Sequence, residues 1–325
     1  MTVLVTGAAG FIGYHVSQAL LARGERVVGV DNLNDYYDVR LKEARLERLA
    51  AAPGFSFMRL DVAEESALAA LSASELAIDR IVHLAAQAGV RYSLTNPGAY
   101  IRDNIQGHYL LLELCRRLDR FRHFVYASSS SVYGGNRKLP FAVDDRTDEP
   151  VSLYAATKRA DELISYSYSH LFGIPATGLR FFTVYGPWGR PDMAMFIFTK
   201  AILAGEPIRL FNHGNMRRDF SYIDDIVAGV LAALERPPPP GEAAPHRLYN
   251  LGHHRAEELR HLVELIERAT GRKAIVELAP MPPGDVPATF ADIEASARDL
   301  GFEPRTPLDQ GVPRFVEWYR AFYGR

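Results

Sequence analysis

The sequence is poor in cysteine, which limits the chemistry available to it. Cys115 is the only cysteine among 325 residues, so an intrachain disulfide is excluded. Its leucine-rich surroundings, Leu110 to Leu114, predict a small buried hydrophobe. No cluster of cysteine, histidine and acidic residues has the spacing of a metal site, so we expect no bound metal.

Long hydrophobic runs and an excess of charge of one sign are also missing. No apolar stretch reaches the roughly 18 residues of a membrane-spanning helix. No basic leader with a cleavage site precedes the first strand. Lysine and arginine number 37 against 39 aspartate and glutamate, which leaves no net field to attract nucleic acid or an anionic membrane. We therefore expect a cytoplasmic protein with neither of these partners.

Length and composition suit a protein of two parts. With 325 residues, 48% of them hydrophobic, the chain can bury a large core. Strand-like and helix-like segments alternate through the first half, which is typical of an α/β doubly wound parallel sheet, the Rossmann architecture. We predict a nucleotide-binding domain over residues 1–180 and a smaller α/β substrate-binding domain over 181–325, with segments near 216–252 returning to the first.

A glycine-rich turn follows the first predicted strand. Residues 3–6 form this strand, and Gly7, Gly10 and Gly13 lead from it into a helix that ends near Arg23. Glycines at this point let the backbone approach a pyrophosphate, whose charge is received by the helix N-terminus. The first gap is one residue wider than in the G-x-G-x-x-G pattern. The turn predicts a dinucleotide site.

The second predicted strand, residues 26–30, leads into an acidic residue. Asp31 lies at the distance expected of a group that hydrogen-bonds the adenosine ribose. A carboxylate there repels a 2′-phosphate, and Asn32 supplies no cation to bind one. The predicted cofactor is therefore NAD rather than NADP.

Further strands are predicted at residues 55–60, 80–84, 122–127 and 176–180. Ligands in such sheets bind at the carboxyl ends of the strands. We expect Asp61 and Val62 to lie near an adenine, and the small Ala85 and Ala86 to let a cofactor pass.

A phenol and an ammonium group stand four residues apart at Tyr154 and Lys158. This spacing puts both on one helix face, where the lysine can stabilise a tyrosinate that removes a hydroxyl proton. Four serines, residues 128–131, follow the predicted fifth strand and bring hydroxyl groups to the same edge of the sheet. The combination predicts an acid/base device.

These elements together resemble the extended short-chain dehydrogenase/reductases that act on nucleotide sugars, over essentially the whole chain. The stretches that resemble UDP-glucuronate 4-epimerases within that family are 31–37, 87–91 and 189–194. The motifs that resemble the wider family are the three glycines, Asp31, Asp61, residues 83–86, the serine run before Val132-Tyr133-Gly134, Tyr154-x-x-x-Lys158, and Pro283-Gly284-Asp285.

The resemblance implies a mechanism. Ser129 hydrogen-bonds the sugar 4-hydroxyl, Tyr154 takes its proton, and Lys158 lowers the pKa of the tyrosine and holds the nicotinamide ribose. Hydride passes from sugar C4 to NAD, the 4-keto sugar rotates while its UDP stays anchored, and hydride returns to the opposite face. The residues implied to bind NAD are Gly7, Gly10, Phe11, Ile12, Gly13, Asp31, Asn32, Asp61, Val62, Leu84, Ala85, Ala86, Tyr154, Lys158, Phe181 and Val184.

For the UDP-sugar, the resemblance assigns the diphosphate to Arg218 and the uracil to the stretch at Leu210. The tail has Pro282 where many galactose-type epimerases carry an arginine, so Asp285 belongs to a segment that departs from their pattern. The residues implied to bind the substrate are Ser129, Ser130, Ser131, Thr183, Arg190, Leu210, Phe211, Arg218 and Asp285.

A glucuronate substrate gives Arg190 a chemical role. The 4-keto intermediate is a β-keto acid, which loses CO2 when its carboxylate aligns with the ketone, and a guanidinium can fix the carboxylate plane. Decarboxylases and dehydratases of this family carry acidic residues in the two positions after the catalytic Ser/Thr. Ser130 and Ser131 stand there in this chain, which favours epimerisation.

Three other functions stay open at this point: a UDP-glucuronate decarboxylase, a neutral UDP-hexose 4-epimerase, and a NAD-sensing regulator that catalyses nothing. A regulator of this kind needs no catalytic serine, tyrosine and lysine, whereas this chain has all three. Two amphipathic helices, near Asn104 to Leu118 and Leu153 to Leu171, resemble those that pair into a four-helix bundle in related enzymes, which predicts a homodimer.

Overall fold

A computed structural model describes residues 1–74, 76–239, 241 and 243–324 of the chain. The strands, in chain order, are β1 Thr2–Thr6, β2 Arg26–Asp31, β3 Phe55–Arg59, β4 Arg80–His83, β5 His123–Ser129, β6 Ala176–Phe181, β7 Thr183–Tyr185, β8 Pro207–Leu210, β9 Arg217–Arg218, β10 Phe220–Tyr222, β11 His246–Leu251, β12 Glu257–Glu258 and β13 Ile275–Leu278.

The helices alternate with the strands through the first half of the chain. A π-helical segment, Ile101–Gln106, leads into α6, and 3-10 turns lie at Ser130–Tyr133 and Phe211–Gly214. The α-helices are α1 Phe11–Ala22, α2 Val39–Ala50, α3 Glu65–Ser72, α4 Tyr92–Thr95, α5 Pro97–Tyr100, α6 Gly107–Arg117, α7 Leu153–Phe172, α8 Ala194–Ala204, α9 Ile223–Glu235, α10 Leu259–Thr270, α11 Glu294–Leu300 and α12 Leu308–Tyr323.

Seven parallel strands form the central sheet in the order β11-β6-β5-β4-β1-β2-β3. Helix α1 packs with α9, while α3 and α7 pack with α6. Two clusters of buried apolar side chains accompany these helices, one containing residues of α1 and α9 and the other residues of α3 and α6. The predicted doubly wound parallel sheet is confirmed.

The second half of the chain contributes strands to the central sheet and to smaller sheets. Strand β11 joins the central sheet beside β6, while β8 and β13 form a separate two-stranded sheet. The predicted boundary after residue 180, with a return near 216–252, stays a prediction.

The fifth strand is longer than the sequence pattern predicts. It continues through Ser128 and Ser129, because these residues pair with Arg180 and Phe181 of β6. Only Ser130 and Ser131 of the serine run lie beyond it, in the 3-10 turn. The prediction that all four serines follow the strand was wrong, and the reason is this non-local pairing.

Candidate functional site

A cavity of about 420 Å³ opens at the carboxyl ends of the central strands. It is lined by residues from the glycine-rich turn, from the ends of β2 to β6, from α7 and from the second half of the chain. Every residue predicted to bind NAD or substrate lines it except Leu210 and Phe211.

The glycine-rich turn brings its backbone to this cavity. Gly7 has a φ of +70°, and a Cβ on Gly13 would lie 2.0 Å from the Gly7 carbonyl oxygen, so a side chain at Gly13 has no room. Gly10 caps α1 without a side chain, which leaves the first N–H groups of the helix without a capping partner. Gly10 through Gly13 all line the cavity. The arrangement fits a dinucleotide pyrophosphate.

Two carboxylates lie beyond the turn. Asp31 is buried and accepts hydrogen bonds from the backbone N–H groups of Ala9 and Leu33, at 3.2 and 2.9 Å. Asp61 accepts from Asn32 Nδ2 at 3.2 Å and also pairs with Arg102. Burial by itself would raise the pKa of Asp61, but hydrogen bonds from the Ala63 N–H and from these side chains lower it overall. Both carboxylates line the cavity and suit the hydroxyl and amino groups of an adenosine.

Helix α7 positions the tyrosine and the lysine. Ser152 caps its N-terminus by accepting from the Ala155 N–H at 3.1 Å, so Tyr154 lies in the first turn and Lys158 one turn later. Lys158 is 2% exposed, and both residues line the cavity with Ser129 from the end of β5. The Ser129 hydroxyl is fixed by Ser131, whose N–H donates to it at 3.2 Å.

A buried carboxylate that the sequence reasoning missed holds the lysine. Lys158 Nζ donates to Asp161 Oδ2 at 3.0 Å, and Asp161 is fully buried. Burial raises the pKa of Asp161 to about 6, although Lys158 beside it favours the ionised form. The only signal in the sequence was an acidic residue three positions after the lysine in a predicted helix.

A second buried pair fixes α7 to the sheet. Arg180 of β6 donates from Nε to Glu162 Oε1 at 2.8 Å and from Nη2 to Oε2 at 2.9 Å. Ser128 of β5 donates to the same carboxylate at 2.6 Å. Since Glu162 follows Lys158 by one helical turn, this network sets the height of Tyr154 and Lys158 above β5 and β6.

The loop that carries Arg190 is held by another buried arginine. Arg45 of α2 is fully buried and donates to Ala9 O at 2.8 Å, to the Tyr37 hydroxyl at 2.8 Å and to Trp188 O at 2.6 Å. Trp188 has a φ of +62°, a conformation that costs a non-glycine residue energy. The Arg45 contact stabilises this turn, which directs Arg190 to the cavity.

The comparisons with known proteins agree with this geometry. Residues 3–252 match the model of the NAD dependent epimerase/dehydratase family. The chain belongs to that family. This match confirms the family resemblance found in the sequence.

Relatives and solved structures of the family make the likeness more specific. UDP-glucuronate 4-epimerase 4 of Arabidopsis thaliana is 49% identical over 334 residues, which cover 99% of this chain and 76% of that protein. A probable UDP-glucuronate 4-epimerase of Rhizobium meliloti is 47% identical, covering 100% and 98%. The crystal structure of UDP-glucuronic acid 4-epimerase from Bacillus cereus, in complex with UDP-glucuronic acid and NAD, aligns with a TM-score of 0.91 at 34% identity, covering 99% and 100%.

Arg218 and Asp285 are the anion-binding candidates in the cavity lining, and Arg91 lies beside them. Arg218 donates to Asp285 at 2.6 Å, and Arg91 lies 3.6 Å from the same carboxylate while stacking on the Phe211 ring at 4.2 Å. Burial lowers the pKa of Arg218, an effect that Asp285 partly offsets. Two cations therefore surround Asp285, and only one of them, Arg218, was expected.

The assignment of Leu210 to the substrate is not supported by its position. Its side chain is 1% exposed within the apolar core, and its carbonyl oxygen accepts from the Ala279 N–H at 3.0 Å. Alternation along β8, with Ile208 and Leu210 buried and Arg209 exposed, is the signal that could have predicted this. Phe211 also lies outside the cavity lining, although Arg91 stacks on it.

Several lining residues had no predicted role, namely Asn34, Tyr36, Tyr37, Gln87, Gly89 and Met193.

None of the helices in the described part of the chain is long and apolar enough to cross a membrane.

Proposed function

We propose that this protein interconverts UDP-glucuronate and UDP-galacturonate by inverting the configuration at sugar C4, with NAD held in the cavity. One observation carries the proposal: Ser129, Tyr154 and Lys158 meet Arg190 in a single cavity that also contains the glycine-rich turn. The likeness to UDP-glucuronate 4-epimerases over the whole chain supports the same substrate.

Residues of the chain itself carry out the proton transfer. Ser129 orients the 4-hydroxyl, and Tyr154, with Lys158 one helical turn further along α7, takes its proton as the general base. The glycine-rich turn and Asp31 would hold NAD, which would supply the acceptor and donor of the C4 hydride. Tyr154 then gives the proton back, so the reaction needs no external acid or base. Arg218 anchors the diphosphate while the sugar turns.

Epimerisation requires that the carboxylate of the β-keto intermediate does not align with the ketone. Arg190 supplies a planar donor for that carboxylate, and Ser130, Ser131 and Thr183 bring hydroxyl groups to the same cavity. Neither residue directly after Ser129 is acidic. This set favours epimerisation over decarboxylation, and it has no use in a NAD-sensing regulator.

A homodimer is part of the proposal. Helices α6 and α7 carry a group of exposed apolar side chains, and Leu163 and Tyr166 of α7 are 55% and 53% exposed. The others on these helices are Tyr109, Leu171 and Phe172. An exposed apolar group of this kind on two packed helices suits pairing with a second copy into a four-helix bundle.

A cytoplasmic location is also proposed. It is supported by Cys115, which is free and buried in the described structure and cannot form an intrachain disulfide.

The deciding experiment is incubation of the purified protein with UDP-glucuronate and analysis of the sugars by proton NMR, with UDP-glucose in parallel. We expect UDP-galacturonate to form until the two uronates reach equilibrium. Release of CO2 with a UDP-pentose as the main product would instead identify a decarboxylase. Faster conversion of UDP-glucose would identify a neutral-sugar epimerase.

A further inference from the structure

The Arg190 guanidinium is already paired with a carboxylate of this chain. Its Nε donates to Asp192 Oδ1 at 3.0 Å and its Nη2 donates to Asp192 Oδ2 at 2.5 Å, which is a bidentate arrangement. Within the described residues, the side-chain hydrogen bonds of Arg190 run from this edge only. Nη1 and the outer hydrogen of Nη2 are left for the cavity that Arg190 lines.

The pair is held from a third side by the loop after β2. The Tyr36 hydroxyl donates to Asp192 Oδ2 at 3.1 Å. A Cβ on Gly89 would lie 3.0 Å from that hydroxyl and 3.7 Å from Asp192 Oδ2, so Gly89 packs directly against the group. Arg190 and Asp192 are 23% and 27% exposed, so water screens their charges only partly.

This geometry changes what Arg190 offers to a uronate. A lone guanidinium in a half-buried cavity is a full positive charge with two free edges, whereas Arg190 with Asp192 is a nearly neutral pair with one free edge. The free edge can still orient a carboxylate through directed hydrogen bonds. The attraction between the carboxylate and the pair is weaker, because Asp192 repels the same anion.

We propose that Asp192 is a positioning and specificity-determining residue, which fixes one edge of Arg190 and weakens its hold on the C6 carboxylate so that the sugar can turn. The inference rests on the proposed function. Epimerisation presents both faces of the sugar to the same hydride position, so the carboxylate must leave its partner once in every turnover. A partner that binds it as tightly as a bare cation stabilises one orientation and slows the turn.

The test is Asp192→Asn, which keeps the shape of the side chain and removes its charge. We expect the Kd of UDP-glucuronate, measured by calorimetry on the NAD-loaded protein, to fall by roughly fivefold or more, with KM falling alongside, since a repulsive charge is removed. We expect kcat to fall as well, with reduced nicotinamide accumulating in the steady state. The Kd of UDP-glucose, which has no carboxylate, should not change.

Two further variants complete the experiment. Asp192→Glu restores the charge and should return both Kd and kcat toward the wild-type values. Asp148→Asn is the matched control, because Asp148 pairs with Arg146 at the same i, i+2 spacing and is 53% exposed outside the cavity. It should leave every parameter unchanged.

The possible outcomes separate this inference from the proposed function. If the wild-type protein does not convert UDP-glucuronate, the proposed function fails. If it does, and Asp192→Asn binds UDP-glucuronate more weakly or changes both sugars equally, Asp192 is only a structural support and the inference is overturned. Rescue of kcat by Asp192→Glu together with restored Kd supports it, and failure of that rescue in a folded variant contradicts it.

Discussion

At the scale of single residues, Tyr154 is the proposed general base, and its removal has a defined consequence. Tyr154→Phe keeps the ring, which lies edge-on to Tyr100 at 6.0 Å, so the fold and the NAD content should be retained. Turnover should fall by roughly 10²-fold or more, because a general base has been deleted. Steady-state assays with a cofactor titration check this, and near-normal activity would contradict the assignment of Tyr154 as the base.

Arg190 should discriminate between sugars. Arg190→Ala removes the donor to the uronate carboxylate and leaves Asp192 without its partner, which costs about 2–5 kcal/mol. Uronate turnover should fall accordingly while UDP-glucose turnover changes little, and a freer carboxylate should release some UDP-pentose. Kinetics on both sugars, with mass spectrometry for the pentose, measure this. Arg146→Ala, at an exposed arginine, is the control, and equal losses on both sugars would mean that Ser130, Ser131 and Thr183 hold the carboxylate.

The sequence predicted the residues that have a fixed spacing or a distinctive chemistry. Tyr154 and Lys158 share a helix face at any position in a fold, so their proximity could be inferred directly. The contact between Asp192 and Tyr36 has no such signal, because the two residues are remote in sequence and only the fold brings them together. The same holds for Arg45, whose contacts to Ala9 and Trp188 depend on tertiary structure.

At the scale of elements, the turn before α1 depends on the absence of side chains. In Gly13→Ala the new Cβ would lie 2.0 Å from Gly7 O, so the turn and α1 must separate. We expect loss of NAD binding and a large drop in Tm. Gly98→Ala in α5 is the matched control, since no atom lies within 4 Å of its Cβ position and its φ is not positive. Thermal unfolding with and without NAD measures both, and equal effects would show that the turn tolerates a side chain.

The exposed face of α7 should determine the oligomeric state. Leu163→Glu puts a charge into the proposed four-helix bundle and should give a monomer by light scattering at micromolar concentration. Leu278→Glu is the control, since Leu278 is equally exposed, at 54% against 55%, but lies on β13. A wild-type monomer, or a dimer that survives Leu163→Glu, would contradict the proposed interface.

Element boundaries followed from local patterns except where distant strands decide them. Helix α12 shows the effect of a local pattern, because its apolar residues repeat at helical spacing. Strand β5 runs two residues past its prediction because β6 pairs with it, and β8 buries Leu210 because of what packs below it. The β5–β6 pairing is not present in the local sequence, whereas the alternation along β8 already indicates that Leu210 is buried.

At the scale of the whole molecule, buried histidines should make the protein sensitive to acid. Burial lowers the pKa of His15, His123 and His246 to about 4 and that of His83 to about 3, and it also lowers the pKa of His108. The unfolded chain takes up protons near pH 6.5 while the folded chain does not, so stability is full above pH 6.5 and falls as the pH drops toward 4. Each histidine whose pKa is lowered to about 4 reduces the free energy of unfolding by about 2 kcal/mol when the pH falls from 7 to 5.

His123→Gln tests this contribution. The variant should be less stable at pH 7, because His123 hydrogen-bonds Leu234 O and Thr177 Oγ1, but it should lose less further stability on going to pH 5. His170→Gln, at an exposed position, should keep the wild-type pH dependence. Urea unfolding at the two pH values measures the slopes, and identical slopes for all three proteins would remove His123 from the explanation.

The contacts of Arg45 restrict the changes by which such an enzyme can acquire a new sugar specificity. One buried side chain reaches the carbonyl of Ala9 in the glycine-rich turn and the carbonyl of Trp188 in the loop that carries Arg190. A lineage that acquires a new sugar specificity must therefore keep the backbone of this loop at a fixed height above the turn, or lose the contact and leave one side of a buried charge without its acceptor. New specificities are accessible through side-chain replacements at positions such as Arg190 and Thr183. New specificities are not accessible through insertions and deletions between Pro187 and Arg190.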